Sequence, residues 1–222
     1  MLYLANILMQ LDLYVFDWSG VISDDRLPVY ESNMRLFDHF GIQRISFEEW
    51  RKRSTLSAVG ILRNHGVTKE MASDGVIKEM YKENLDAVIK SGTTPKVYPD
   101  AKEILELLKN KNKIVSVLSS HPEQNLLREI EEYELKIYLD LILGDRGENK
   151  VEGLKRTFMK FNKKSGDVLY TGDTVYDIQA AKKAETFSAG ICNGYHLREA
   201  LENESPDFLF ENLTEIKKLE IL

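Results

Sequence analysis

Leu13–Tyr14–Val15–Phe16, followed directly by Asp17–Trp18–Ser19–Gly20, decides how the rest of the chain is read. Four consecutive apolar residues, two aromatic and one β-branched, describe a short strand buried on both faces. The strand delivers a carboxylate at its carboxyl end, just before a glycine-containing turn. A second stretch repeats the arrangement far downstream, where Val168–Leu169–Tyr170 runs into Thr171–Gly172–Asp173–Thr174–Val175–Tyr176–Asp177. Open α/β sheets bind ligands outside the carboxyl ends of their strands, where the topology switches direction. Carboxylates gathered at such an edge can hold a hard cation, and one of them can attack an electrophile.

Further apolar runs at Ile114–Leu118, Leu141–Leu143, Phe187–Cys192 and Phe208–Phe210 also read as buried parallel strands. Helical periods lie between most of them. Pro99 opens one with an apolar face of Ala101, Ile104 and Leu108, and Pro122 opens another with Leu126, Leu127 and Ile130. Val175–Lys183 and Leu213–Leu219 supply two more helices. Strand and helix alternating over Pro99–Leu222 predict a doubly wound α/β core, a parallel sheet with helices on both faces, because right-handed crossovers place them there.

The region after the first strand breaks the rhythm. From about Asp24 to Pro95 there are helical periods and no convincing strand. Tyr30, Met34 and Phe37 share a face; Ser46–Phe47–Glu48–Glu49 reads as a capping box; a third helix ends near Gly66. A fourth, lined by Ile77, Tyr81, Leu85 and Val88, stops at Gly92. The expected organisation is a core of residues 1–22 and 95–222, with residues 23–94 inserted as about four helices that hang over the strand ends as a lid.

Composition narrows the function. With 222 residues, 43% hydrophobic and 30% charged, the chain has the balance of an ordered globular protein. A net charge of −6, with Lys and Arg interleaved among Asp and Glu, argues against a nucleic-acid partner. The single Cys192 cannot form an internal disulfide and fits a reducing cytoplasm as a buried, inert thiol. Met1–Gln10 is apolar but too short to span a bilayer, so no membrane association is expected; it reads as a surface-packed extension, with Met9 an alternative start. Monomer and homodimer both remain open.

Four strand ends carry polar groups: Asp17; Ser119–Ser120–His121; the Gly144–Lys150 loop; and Asp173 with Asp177. If these strands adjoin, Asp17, Ser119, Lys150 and Asp173 converge. Each has a task in phosphoryl transfer: a carboxylate to attack phosphorus, a hydroxyl to donate to a non-bridging oxygen, an ammonium to neutralise charge, and carboxylates to hold Mg²⁺. Taken singly, each residue has a simpler reading as a turn, cap or solvated side chain.

Phe16–Asp17–Trp18–Ser19–Gly20–Val21, Leu118–Ser119–Ser120, Lys150 and Gly172–Asp173–Thr174–Val175–Tyr176–Asp177 resemble the four ordered motifs of the haloacid dehalogenase-like (HAD-like) superfamily. The helical insertion and Val97–Tyr98–Pro99–Asp100 are similar to the phosphoglycolate phosphatase and β-phosphoglucomutase branch, with Asp100 where Gly is common. The resemblance implies a Rossmann-like core with a helical cap. It implies a Mg²⁺-dependent phosphatase acting on a small phosphorylated metabolite through an aspartyl-phosphate. Asp17 would be the nucleophile. Asp17, Asp173 and the backbone carbonyl of Ser19 would ligate Mg²⁺, and Asp177 would steady metal-bound water or Lys150. Ser119, Ser120 and Lys150 would bind the phosphate.

One position departs from the pattern. Ser19 stands where such phosphatases usually carry a second Asp as general acid and base, and a hydroxyl is a poor proton donor near neutral pH. The leaving group could need little protonation, His121, Asp24 or Asp25 could substitute, or the protein could be a weakened enzyme acting as a phosphate-ligand binder or regulator. Phosphonoacetaldehyde hydrolases also lack that Asp, but they use an imine-forming lysine in the cap where this chain has Arg63, whose guanidinium cannot form an imine. Gly172–Asp173 argues against the metal-free dehalogenases, and the absent Asp argues against a phosphosugar mutase. Arg51, Arg53 and Arg63 are candidate substrate contacts from the insertion, and His196 reads as part of a turn.

Overall fold

In the computed structural model, which describes residues 11–53, 57–145 and 149–219, β1 (Leu13–Phe16) lies inside a parallel sheet and is completely buried. Its neighbours are β4 (Ile114–Leu118) on one side and β6 (Val168–Gly172) on the other. β5 (Leu141–Leu143) continues the sheet beyond β4. β7 (Phe187–Ile191) and β8 (Phe208–Phe210) continue it beyond β6. The order β5-β4-β1-β6-β7-β8 therefore switches direction around β1, where the chain crosses from one half of the sheet to the other. Register makes the edge even: Phe16 aligns with Val117 and with Thr171. Asp17, Ser119 and Asp173 consequently emerge on adjacent strands within one residue of the same level, with strand spacing of about 4.8 Å.

Alternation along β1 divides the core. Tyr14 and Phe16 face a cluster with Val115, Val117, Ile104, Leu108, Leu126 and Ile130. That layer belongs to α5 (Ala101–Asn110) and α6 (Glu123–Glu132). Leu13 and Val15 face the other way, onto Leu154, Ala180 and Ala181 of α7 (Lys150–Lys160) and α8 (Val175–Lys183). Small residues of α8 pack on one face of the sheet, and leucine and isoleucine of α5 and α6 on the other. The doubly wound α/β core is as expected.

Four helices follow β1: α1 (Arg26–His39), α2 (Phe47–Arg53), α3 (Ala58–Asn64) and α4 (Asp74–Lys90). They share a cluster of Met34, Phe37, Trp50, Ile61, Leu62 and Ile77. Their ends follow local chemistry. Ser57 Oγ accepts the Gly60 N–H at 3.0 Å and Ser73 Oγ accepts that of Val76 at 3.4 Å. Gly66 and Gly92 have positive φ just beyond α3 and α4. Ser46 accepts the Glu49 N–H at 3.2 Å, the serine half of the expected capping box.

Several elements differ from the sequence reading. A two-residue antiparallel pair, β2 (Ser23–Asp24) with β3 (Lys96–Val97), joins the two points where the chain enters and leaves the helices. Two residues are too few for any periodic signal. Pro99 and Pro122 precede rather than begin α5 and α6, which start at Ala101 and Glu123. Leu213–Leu219 is a 3₁₀ helix, and α9 (Arg198–Asn203) is a short additional helix. Among the described residues, no helix is long and apolar enough to cross a membrane. Met1–Gln10, residues 146–148 of the Gly144–Lys150 loop and the Arg53 side chain lie outside the described residues.

Candidate active site

The turn after β1 is closed by backbone bonds from Ile22 and Ser23 N–H to the Trp18 carbonyl, at 2.8 and 2.9 Å. Gly20 sits in this turn at φ +75°, and a Cβ there would lie 2.0 Å from Asp173 Oδ2. Both the backbone conformation and the close approach require glycine. Asp17 is held by the Trp18 N–H on Oδ1 at 2.8 Å and by Lys150 Nζ on Oδ2 at 2.6 Å. Lys150, the first residue of α7, also reaches Asp177 Oδ1 at 2.5 Å. Its contact with Asp17 joins positions 133 apart, and that with Asp177 positions 27 apart.

Asp177 is the third residue of α8 and forms a reciprocal capping box with Thr174. Its Oδ2 accepts from the Thr174 N–H and Oγ1 at 3.0 and 2.5 Å; its Oδ1 also accepts from the Tyr170 hydroxyl at 2.9 Å. Both oxygens are thus engaged, and the residue is placed to steady Lys150. Asp173 is different. Its Oδ2 accepts the Tyr195 N–H at 2.6 Å, whereas Oδ1 is buried without a hydrogen-bond partner. Asp17, Asp173 and Asp177 each offer an oxygen within 4.8 Å of the others.

Three buried carboxylates share one ammonium, and the electrostatics follow. Burial raises the Asp17 carboxyl to about 6, against the opposing pull of Lys150. Burial, then the charges of Asp177 and Asp17, pushes Asp173 well above the carboxylate range. Burial also acts to raise Asp177, but Lys150 and the hydroxyls of Thr174 and Tyr170 outweigh it and hold that group low. Lys150 resists the lowering effect of burial because two carboxylates face it, and its pKa is raised. An unpartnered buried carboxylate oxygen beside a second carboxylate fits a hard divalent cation. Asp17 and Asp173 could hold one; the site is short of positive charge without it.

Ser119, at the end of β4, is buried, and its Oγ accepts the His121 N–H at 3.1 Å. Ser120 is exposed beside it. Ser19 lies two residues beyond Asp17, and its hydroxyl donates to the buried carboxylate of Asp25. Asp24 is committed to Arg26, which reaches its two oxygens at 2.7 Å each. Trp18 packs into the core, donating Nε1–H to Glu129 at 2.7 Å and stacking on Tyr133.

The arginines separate. Arg63 binds the carbonyls of Val67, Thr68 and Ala72 and the carboxylate of Asp74, so it braces the helices rather than facing a ligand. Arg51 reaches out of α2 to the carbonyls of Gly194, at 2.7 Å, and Cys192, at 3.4 Å. The turn it grips was read from sequence only as a turn, yet it builds the site. A Cβ at Gly194 would lie 2.3 Å from Asp173 Oδ2, so glycine is needed for the close approach. Tyr195 holds Asp173 through its N–H, joins the helical cluster with its ring, and donates its hydroxyl to Asp25 at 2.8 Å. The Asn193–Gly194 pair signalled the turn; nothing local signalled its partner. His196 is part of that turn, its Nδ1 accepting the Val175 N–H at 3.3 Å. Cys192 is only partly buried rather than buried as expected, because it follows the end of β7, though burial still raises its thiol above the ordinary value.

Arg51→Ala is expected to lower unfolding free energy by about 1–3 kcal/mol, because charged hydrogen bonds to buried carbonyls are lost. Urea denaturation measures this, and an unchanged midpoint would show that the helices do not depend on the grip.

The sequence pattern of the family described as haloacid dehalogenase-like hydrolase matches residues 14–191. A phosphoglycolate phosphatase of Vibrio parahaemolyticus is 29% identical over 124 residues, covering 54% of each chain. One from Mannheimia succiniciproducens is 26% identical over 143 residues, covering 63% of this chain and 61% of its own. The chain thus spans between about half and three fifths of the curated relatives it matches. The solved structure of a haloacid dehalogenase-like hydrolase from Streptococcus pneumoniae superposes with a TM-score of 0.80 at 15% identity, covering 96% of this chain and all of that one, a likeness of fold. Four motif-bearing strand ends brought to one edge and a family match across most of the chain lead to one conclusion: the protein belongs to the haloacid dehalogenase-like hydrolases.

Proposed function

We propose that the protein is a Mg²⁺-dependent phosphatase that hydrolyses a small phosphorylated metabolite through an aspartyl-phosphate on Asp17. The observation that carries this reading is Asp17 itself, held between the Lys150 ammonium and Asp173, whose second oxygen is buried and unpartnered. Asp17 Oδ attacks phosphorus, the ester oxygen departs, and water later cleaves the acyl phosphate to return the carboxylate. Lys150 neutralises charge on the transferring group, kept in place by Asp177. Ser119 donates its hydroxyl to a phosphate oxygen, its own orientation set by the His121 N–H. Ser120 adds a second donor at the open side. Mg²⁺, held by Asp17, Asp173 and the Ser19 carbonyl, would supply electrostatic stabilisation of the phosphoryl oxygens. Asp177 belongs to the same cluster as a support.

In this reading residues 23–94 form a cap over a core of residues 1–22 and 95–222. Arg51, Trp50 and Tyr195 tie the cap to the turn that holds Asp173. Asp17 is only 6% exposed beneath it, which favours a small substrate. The relatives' name makes phosphoglycolate the first compound to test. A single cysteine suits a cytoplasmic enzyme.

The test is a panel of small phosphate monoesters, phosphoglycolate among them, assayed with Mg²⁺ and with EDTA. Mg²⁺-dependent release of phosphate from at least one is expected. Tight binding of phosphate with no turnover of any ester would favour the rival reading that Ser19 motivates, a phosphate-ligand binder.

A further inference from the structure

The reaction proposed above needs a proton for the leaving oxygen, and Ser19 cannot supply it efficiently. The structure separates the candidates. Asp24 is neutralised by the Arg26 fork. Asp25 accepts from the Tyr195 hydroxyl at 2.8 Å and is engaged by Ser19, so its contacts are already taken, although burial raises its carboxyl. His121 is placed otherwise. It follows Ser119–Ser120 at the end of β4, and its backbone is tied to the Ser119 hydroxyl.

The ring of His121 is aimed by a chain of buried groups. Nε2 pairs with Glu129 Oε1 at 3.1 Å, and Glu129 Oε2 accepts the Trp18 indole N–H at 2.7 Å. Trp18 is completely buried and adjoins Asp17 in sequence. The imidazole is therefore fixed from the same turn that carries the nucleophile, by contacts between positions 111 apart. Among the described residues its Nδ1 has no hydrogen-bond partner, and the side chain remains 21% exposed. A carboxylate on one ring nitrogen and a free second nitrogen is the arrangement that orients an imidazole for proton transfer. We propose that His121, oriented by Glu129, replaces the absent aspartate as general acid and base in this site.

In the first step Asp17 Oδ forms a bond to phosphorus as the P–O bond to the leaving group breaks. The proton on His121 Nδ1 passes to the departing oxygen, giving the alcohol and neutral imidazole. In the second step water attacks phosphorus, Nδ1 takes its proton, and the bond from phosphorus to Asp17 breaks. Inorganic phosphate leaves and the imidazolium is restored. Burial lowers the His121 pKa, but Glu129 on α6, Asp25 before α1 and Asp17 after β1 together raise it. The acid form therefore persists toward neutral pH, and the first step fades as pH rises through the raised value.

Two small substrates test this reading, which rests on the phosphatase proposal. Acetyl phosphate has a leaving group that needs no proton, whereas an alkyl phosphate such as phosphoglycolate needs one. His121→Gln is expected to lower kcat/KM for the alkyl ester about 10²–10³-fold and to change that for acetyl phosphate less than about threefold. Glu129→Gln keeps a donor–acceptor group beside Trp18 but removes the charge, and should move the alkaline limb of the alkyl-ester profile to lower pH. Equal losses on both esters, or none on either, would overturn the role of His121 in an enzyme that still turns over. A wild type that hydrolyses neither these esters nor any monoester of the panel would overturn the phosphatase reading and this inference together.

Discussion

Asp17→Asn is expected to lower turnover of any phosphate ester by at least about 10⁴-fold, the scale seen when a covalent nucleophile is removed. A carboxamide has no anionic oxygen to attack phosphorus, and no acyl phosphate can form. The fold should survive. β1 is held by the parallel ladders to β4 and β6, and Lys150 keeps Asp177 as its partner when Asp17 loses its charge. Rapid-quench labelling with radioactive phosphate ester should trap label on the wild type and none on the variant. Equal turnover by the two proteins would remove Asp17 from the chemistry and end the covalent scheme.

Asp173→Asn should move activity and stability in opposite directions. Without metal, Asp173 is a buried carboxylate pressed against Asp17 and Asp177, and its second oxygen has no partner. The amide removes the repulsion, still accepts from the Tyr195 N–H, and offers N–H donors to its neighbours. Without Mg²⁺ the variant should be more stable by about 1–2 kcal/mol, or roughly 2–8 °C in Tm at this size. Turnover should be lost, because functional sites often hold groups that cost stability. Calorimetry in EDTA and in excess Mg²⁺ separates the effects: Mg²⁺ should raise the Tm of the wild type and leave that of the variant unmoved. A variant less stable than the wild type in EDTA would contradict the repulsion argument.

The same carboxylates set the pH dependence. Asp17, at about 6, and Asp173, higher than ordinary, keep protons in the folded state that the unfolded chain releases. Both contributions are present below the ordinary carboxylate range, near 3.8; that of Asp17 is lost as pH rises through about 6, and that of Asp173 as pH rises through its own raised value. Asp177 is lowered, so its contribution has the opposite sign and is lost only at more acid pH.

Local features were legible in the chain. The runs Leu13–Phe16 and Ile114–Leu118 are strands because branched or aromatic side chains occupy every position except Ser116 and both faces are covered. The ends of α3 and α4 follow from Ser57, Ser73, Gly66 and Gly92, whose effects reach no further than one turn. The β2–β3 pair was invisible for the complementary reason: two residues have no period, and they pair only because the helices between them close into a cluster. His121 was legible only as one of three candidate substitutes for the missing aspartate, and no local pattern linked it to Glu129 and Trp18.

By itself, then, the order of residues determined the α/β architecture, the helical insertion and the four polar strand ends. Those depend on hydrophobic periodicity and capping, which act between neighbours. Packing alone decided that Tyr195 would clasp Asp173, that Arg26 would occupy Asp24 while Asp25 turned toward Ser19, and that Glu129 would aim His121. The Tyr195–Asp173 clasp joins positions 22 apart, and Glu129 is itself held by Trp18, 111 positions away, whereas the shorter-range pairs fall in turns without a periodic pattern. Their geometry is set by how layers stack and by which buried polar atoms must find partners, and no spacing along the chain records either.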